Sequence, residues 1–399
     1  MSRLETRTRL PSAAPEQVLA AGGAVVVDLR SPAEFAQDHL PGAVNVPLFD
    51  DAERAVVGTL YCTRSPEEAF ERGRELAEAR VADLVAGIAA AAGWRPPGGD
   101  LAALVRRRTR GGIRGLEREL VTERVRSPGP GAVYLYCWRG GLRSRSVTAL
   151  LHELGLERAT LVEGGYKAYR RAVIEGLEAW RAPRAYVLRG LTGVGKTLVL
   201  RELERLRPGW TVDLEALAGH RSSILGMVGL EPCTQKTFET RLLARIRQGF
   251  PPVAGGAPVV VFEGESRKVG DAVIPAGVWR PLAGGVGIEL VASAGRRVQV
   301  LVEDYLAHPA SRDELRGQLP FIEERLGPRR WRGVLVALLD GGRERELVET
   351  LLEQYYDPLY RHSERDYRYA VRVEAGDPSR AAREVASWVE ERERDAGRL

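Results

Sequence analysis

Cys137 is the residue best placed to do chemistry. It stands in Tyr134-Leu135-Tyr136-Cys137-Trp138-Arg139-Gly140-Gly141-Leu142-Arg143-Ser144. An apolar run, Ala132 to Tyr136, predicts a buried strand that stops at the thiol. The chain then turns through Gly140 and Gly141 and resumes as a helix after Arg143. Such a loop wraps backbone N–H groups around one sulfur. Those dipoles, the helix N-terminus and the cations Arg139 and Arg143 favour thiolate over thiol. Ser144 completes the anion loop. A thiolate in a cationic cradle attacks electrophilic sulfur, selenium or phosphorus. The plainer reading is a core cysteine that ends a strand; two glycines and two arginines beside the thiol argue against it.

A second centre is Gly190-Leu191-Thr192-Gly193-Val194-Gly195-Lys196-Thr197, a full match to G-x-x-x-x-G-K-[ST]. A short apolar strand, Ala185 to Arg189, precedes it, and a helical pattern from Thr197 to Leu206 follows. Gly190, Gly193 and Gly195 let successive N–H groups point at phosphate oxygens. Lys196 adds a point charge, and Thr197 is placed to hold Mg²⁺. What carries the phosphate stays open; a diphosphate ester and an RNA backbone both fit. Acids sit at the ends of the next predicted strands: Asp213 and Glu215 after Trp210–Val212, Glu263 and Glu265 after Ala257–Phe262. Each would hold a metal, polarise a nucleophile or simply cap a helix.

The elements that must position these groups read as α/β. Strands alternating with helices imply parallel sheets with sites at strand C-terminal ends. Ala24–Arg30 is a strand, and Ser31 and Pro32 open a helix. Asp51 to Arg126 reads as a long helical, Arg-rich insertion. Its densest basic spot is Arg106 to Arg110, either a phosphate-backbone contact or a solvated helix end. Gly287–Val291 is a strand, Arg296–Leu306 a helix, and the rest a mostly helical tail. In that tail Tyr355 to His362 interleaves aromatics with charge, a pattern that stacks on bases or packs a helix end.

Composition sets bounds. The 399 residues carry a net charge of +5, and only Lys167, Lys196, Lys236 and Lys268 are lysines. Three scattered cysteines, Cys62, Cys137 and Cys233, argue against a disulfide framework and a Cys-rich metal site. With no apolar run long enough to span a bilayer and no secretory leader, the expectation is a cytoplasmic protein with no membrane partner.

The motif series resembles a known family. Asp28-Leu29-Arg30-Ser31-Pro32-Ala33-Glu34-Phe35, His39-Leu40-Pro41-Gly42-Ala43, the Cys137 loop and Glu163-Gly164-Gly165 are similar to a rhodanese domain. A rhodanese domain followed by a P-loop domain resembles the bacterial tRNA 2-selenouridine synthases. Asp213-Leu214-Glu215 with His220-Arg221, Glu263-x-Glu265-Ser266-Arg267 and Tyr355-Tyr356-Asp357-Pro358 add to that likeness. The layout expected is a rhodanese-like domain over 1–180 with its helical insertion around 51–126, a P-loop α/β domain over 181–309, and a mostly helical region over 310–399 packing on it. Five residues separate Cys137 from Arg143, where rhodanese loops usually place four, so the cradle is expected to be larger than in a sulfur-only enzyme.

The resemblance implies a transferase that replaces sulfur by selenium in wobble 2-thiouridine of tRNAs for Lys, Glu and Gln. It implies selenophosphate as donor, with a selenophosphate-producing enzyme as a partner, and S-geranylation from geranyl diphosphate as the activating step. Cys137 would carry selenium, with Arg139, Arg143, Gly140, Gly141 and Ser144 around it. The P-loop would take the prenyl diphosphate or tRNA phosphate. Asp213, Glu215, His220, Arg221, Glu263, Glu265 and Arg267 would form a polar site beside it. No resident metal is assigned. A second reading remains open: Cys137-x5-Arg143-Ser144 also has the spacing of a cysteine phosphatase loop, here fused to a kinase-like P-loop domain. Tyr136 in place of His counts against it. In a third, the chain binds nucleotide and only senses sulfur.

Overall fold

The computed structural model describes residues 7–21, 23–126, 129, 131–254, 256–306, 309–359 and 367–396. The chain divides into two compact units, Met1–Glu175 and Gly176–Leu399.

In the first unit six strands form one all-parallel sheet in the order β3-β2-β5-β6-β1-β4. They are β1 (Thr8–Ala13), β2 (Val25–Asp28), β3 (Ala43–Asn45), β4 (Leu120–Arg124), β5 (Val133–Tyr136) and β6 (Ala159–Val162). The central β5 and β6 are buried along their whole length, as β-branched and aromatic runs between two covered faces must be. Between β1 and β2 lies α1 (Pro15–Ala20), and after β2 comes α2 (Pro32–Gln37). Ser31 stands at the N-cap of α2, where its N–H donates to Glu34 at 3.3 Å, and Pro32 fills the first turn.

The insertion holds four helices: α3 (Asp51–Thr63), α4 (Pro66–Ala92), α5 (Leu101–Arg108) and α6 (Gly112–Glu119). Asp50, Ser65 and Asp100 each accept a backbone N–H three residues on, which fixes three of the helix starts. On α4, Val81, Leu84, Val85 and Ile88 recur at helical spacing and are buried, and Leu84 and Ile88 join Val27, Leu135 and Leu151 in one core. The insertion is not helical to its expected end. Leu120–Arg124 is strand β4, hydrogen-bonded to β1 at the sheet edge. The basic spot is tied to acids: Arg106 to Glu78, Arg107 and Arg108 to Glu153, and Arg108 to Glu119. Two helices close the sheet's other connections, α7 (Leu142–Glu153) and α8 (Gly165–Ala179).

The second unit has five parallel strands in the order β13-β12-β7-β9-β8. They are β7 (Arg184–Arg189), β8 (Thr211–Val212), β9 (Val259–Glu263), β12 (Val286–Val291) and β13 (Tyr369–Glu374), with β10 (Lys268–Val269) and β11 (Ala272–Val273) as a separate hairpin. Helices α9 (Lys196–Leu206), α10 (Leu214–Ala218), α11 (Gln235–Arg247) and α12 (Ala276–Gly284) connect them. A helical region follows: α13 (Ala294–Leu306), α14 (Pro309–Leu326), α15 (Pro328–Trp331), α16 (Val334–Asp340) and α17 (Glu344–Leu351), continued by a π turn over Leu352–Tyr356. Leu319, Ile322, Leu335, Leu347 and Tyr356 form its core. Tyr355 and Tyr356 are thus buried packing residues; Tyr360, Arg361 and His362 lie outside the described residues. The tail is not helical throughout. Its β13 pairs with β12, and α18 (Pro378–Ala396) packs on α9, so Val373, Val385 and Val389 share a core with Tyr186, Leu188 and Ile288.

Candidate active site

Two sites lie at strand C-terminal ends, one in each unit. In the first, Cys137 is the residue directly after β5, and Gly141 is the N-cap of α7. The loop between them is held by its backbone. The Cys137 carbonyl accepts the Tyr166 N–H at 2.9 Å, and the Trp138 carbonyl accepts the Lys167 N–H at 2.9 Å. That approach needs glycine. Gly140 has φ +63° and Gly165 φ +60°, and a Cβ on Gly165 would stand 2.3 Å from the Cys137 oxygen and 2.5 Å from the Gly140 nitrogen.

Behind the loop a buried charge pair sets the frame. Arg30 donates to Asp28 at 2.5 Å and to the Asp38 carbonyl at 2.7 Å. Its guanidinium lies 3.8 Å from the centroid of the Tyr166 ring, and the Tyr166 hydroxyl donates to Asp38 at 2.9 Å. The Tyr136 hydroxyl accepts the Leu40 N–H at 3.2 Å. Burial raises the pKa of both tyrosine hydroxyls, which stay neutral phenols. This network ties the ends of β2 and β5 and the start of α8 to one point. Arg30 sits in a quoted motif, but its burial under Tyr166 has no local signature in sequence.

Cys137 is only 2% exposed, and its Sγ lies 3.2 Å from the Ser144 hydroxyl in the first turn of α7. It is nonetheless open on one side: it lines a cavity of about 500 Å³ together with Trp138, Arg139, Gly141, Leu142 and Arg143. The α7 N-terminus and the two guanidinium groups favour a negative charge there. Neither Arg139 nor Arg143 has a hydrogen-bond or ion-pair partner among the described residues, so both are available to an anion.

The second site is built on the loop between β7 and α9. Gly190, Gly193 and Gly195 have φ +142°, +77° and +91°. A Cβ on Gly190 would meet the Leu290 carbonyl at 2.4 Å, and one on Gly193 the Arg297 carbonyl at 2.8 Å. Lys196 donates to the Gly190 carbonyl at 3.1 Å. The Thr197 hydroxyl lies 3.2 Å from Glu215 and 3.1 Å from Glu263. Glu263 is fully buried and also accepts the Glu215 N–H at 3.0 Å. Burial, with Glu215 close by, holds the Glu263 carboxyl well above the usual range. Burial and the Glu215 charge push Glu265 up to about 7, against the pull of Lys196. Glu215 is raised too, by burial first.

A cavity of about 240 Å³ gathers Thr192, Lys196, Thr197, Glu215, Arg221 and Glu265. The other predicted polar residues are placed differently. Asp213 caps α10, accepting the Ala216 N–H at 2.8 Å. His220 packs beneath Gly270, where burial lowers its ionisation. Arg267 is exposed and does not line the cavity. Sequence reasoning missed Arg297, which is buried, donates to the Thr192 carbonyl at 2.8 Å and pairs with Asp357 at 3.0 Å. The Tyr355-Tyr356-Asp357-Pro358 motif therefore steadies the phosphate loop from behind.

Oxygen donors of this kind suit a hard cation. Among the described residues no three His, Cys, Asp or Glu side chains form a ready metal-binding group. A Mg²⁺ ion at this loop would take Thr197 and one of Glu215 or Glu263, with phosphate and water supplying the rest.

Comparison with known proteins bears on both units. A family model described as the tRNA 2-selenouridine synthase AAA domain matches residues 183–396, and one described as a rhodanese-like domain matches residues 15–172. The chain is 32% identical to a tRNA 2-selenouridine synthase of Cupriavidus necator over 95% of its own length and 97% of that protein. It is 33% identical to one of Bordetella bronchiseptica, covering 89% of this chain and 92% of that protein. A third, from Pseudomonas syringae pv. syringae, is 30% identical over 92% and 94%.

Two outcomes are expected. Gly165→Ala costs at least about 2 kcal/mol in urea unfolding and changes the rate of Cys137 modification. Gly112→Ala, also at positive φ but with nothing near its Cβ, costs about 1 kcal/mol and leaves that rate alone. Equal behaviour of the two would contradict the close approach. For Glu265, a folded-state value raised above the unfolded one means the native state binds the extra proton. Stability is then lost as pH rises from the unfolded range, about 4.5, through about 7. Glu265→Gln should match wild type in melting at pH 4.5 and exceed it by about 3 kcal/mol at pH 8. A gain independent of pH would contradict the buried charge.

Proposed function

This chain belongs to the tRNA 2-selenouridine synthase family, and on that premise we propose that it replaces the sulfur of wobble 2-thiouridine in tRNA by selenium. The proposed substrates are tRNAs for Lys, Glu and Gln through their anticodon arms, in the cytoplasm. Selenophosphate from its producing enzyme is the proposed selenium donor. Among the described residues no helix is long and apolar enough to cross a membrane.

The observation that carries this reading is a thiol walled off from solvent yet open to a cavity with two arginines that have no ion-pair partner among the described residues. Arg139, Arg143 and the α7 N-terminus hold the donor's oxyanion. Its selenium, already at the selenide level, attacks C2 of the geranylated base and expels geranyl thiol, and the Cys137 thiolate takes the phosphoryl group as the Se–P bond breaks. Water then releases phosphate from Cys137, and no oxidant is needed, as a bond between Cys137 and selenium would require. A thiocarbonyl sulfur is a poor leaving group, so alkylating it with a geranyl group from geranyl diphosphate readies the carbon for attack. We assign that alkylation to the second unit. There the Gly193–Thr197 amides and Lys196 neutralise the departing diphosphate and lower the barrier to C–O cleavage. Bound tRNA phosphate is the other ligand that this loop's chemistry admits.

The phosphatase reading is less well supported. A phosphoester displacement needs an acid to protonate the leaving oxygen, and among the described residues no Asp or Glu lines the Cys137 cavity.

The two sites should separate by mutation. Cys137→Ser abolishes 2-selenouridine formation on thiolated tRNA and leaves S-geranylation intact. Lys196→Ala slows geranylation by about 10²-fold and leaves conversion of supplied geranylated tRNA to 2-selenouridine intact. Nucleoside mass analysis reads both. Undiminished 2-selenouridine formation in Cys137→Ser would remove the nucleophile, and full geranyl transfer in Lys196→Ala would remove the role of the phosphate loop.

A further inference from the structure

The cavity at Cys137 is far larger and greasier than the delivery of one chalcogen atom requires. Its volume is about 500 Å³, within the range of sites for whole organic ligands. Its far walls come from the insertion, where Phe70, Ala77 and Leu84 of α4, Val105 of α5 and Ile113 and Leu116 of α6 face the space. Leu84, Leu116, Val147 and Leu150 are otherwise core residues, nearly shut off from solvent. Interiors pack to crystal density, and an unfilled apolar chamber of this size forfeits contact energy that evolution normally recovers.

Charge is distributed in one direction. Every ionisable group with a full charge in the lining is an arginine. Arg74 is paired with Glu71 and Glu78, and Arg108 with Glu119 and Glu153. Among the described residues Arg139 and Arg143, on either side of the glycine turn after Cys137, have no such partners. The chamber thus has an apolar body and a cationic mouth, and the sulfur stands where the two meet. A ligand matching it is a branched or linear hydrocarbon chain whose polar end lies at Cys137.

We propose that this cavity seats the prenyl chain of the S-alkylated base, so that the carbon under attack is held beside Cys137. The inference rests on the reading given under Proposed function and adds a binding site to it. The hydrocarbon is drawn into the chamber by burial, at about 0.8 kcal/mol for each methylene. The base itself stays at the mouth with Trp138 and the two arginines. On this account the chain is the handle by which the thiol unit selects alkylated over plain thiouridine.

A labelling experiment on the full-length protein tests the site without tRNA or selenium, so its failure is separable from failure of the functional reading. Methyl and decyl methanethiosulfonate are compared for their rate of disulfide formation at Cys137, with the exposed Cys62 as internal reference, by peptide mass mapping. Relative to Cys62, the decyl reagent should label Cys137 at least about tenfold faster than the methyl reagent. S-geranyl-2-thiouridine should protect Cys137, and S-methyl-2-thiouridine should not. Ala77→Trp, which fills the chamber, should abolish the chain-length preference. Equal or slower labelling by the decyl reagent overturns the proposal. So does preference without protection by the geranylated nucleoside, since the cavity would then serve another apolar ligand. The wild-type comparison decides the matter if the tryptophan variant does not fold.

Discussion

The thiol site depends on one contact between two stretches of backbone. The turn at Gly164 and Gly165 closes on the loop that follows β5, leaving no room for a side chain between them. The Cys137 and Trp138 carbonyls are taken up by N–H groups of α8. The sulfur lies against Ser144 in the first turn of α7 and shares its cavity with Arg139 and Arg143. A nucleophile that works as an anion is thus placed at a helix N-terminus, whose dipole favours negative charge. The Asp28–Arg30 pair and Tyr166 anchor the same turn from beneath. Being fully buried, that pair fixes geometry more than it adds stability.

The second unit solves the opposite problem with the same architecture. Parallel strands again deliver polar groups to one edge, but here three carboxylates lie under a loop made to receive phosphate. Glu215, Glu263 and Glu265 repel one another, with Glu263 and Glu265 buried and Glu215 half-buried, so the protein holds protons there that a cation or a ligand's charge would displace. Thr197 hydrogen-bonds to two of them, which couples the state of the acids to the position of the phosphate loop. Arg297 and Asp357 brace that loop from the helical region.

Much of this was legible in sequence where chemistry demands particular residues at fixed spacing. The Cys137 loop, the phosphate loop, Glu163-Gly164-Gly165 and the strands that lead into them all read correctly, because glycine at positive φ and apolar strand runs leave local marks. Three things left none. Strands β1, β4 and β13 are edge or near-edge strands with polar and charged members such as Arg9, Glu123 and Arg372, so their alternation is weak and helix was the easier reading for the last two. The convergence of Glu215 with Glu263 and Glu265 joins residues about fifty positions apart. The apolar chamber arises only when the insertion's helices fold over the thiol; their apolar faces look in sequence like ordinary core-facing stripes.

The central claim is that the Cys137 thiolate frees the selenium by taking the donor's phosphoryl group. Incubating the purified protein with selenophosphate and geranylated tRNA, then mapping its peptides by mass under conditions that preserve a thiophosphate, tests this most directly. The account predicts one added phosphoryl group on the peptide bearing Cys137 and none on those bearing Cys62 or Cys233. Selenouridine formed by a protein whose Cys137 peptide never carries a phosphoryl group at any point in the time course would contradict it.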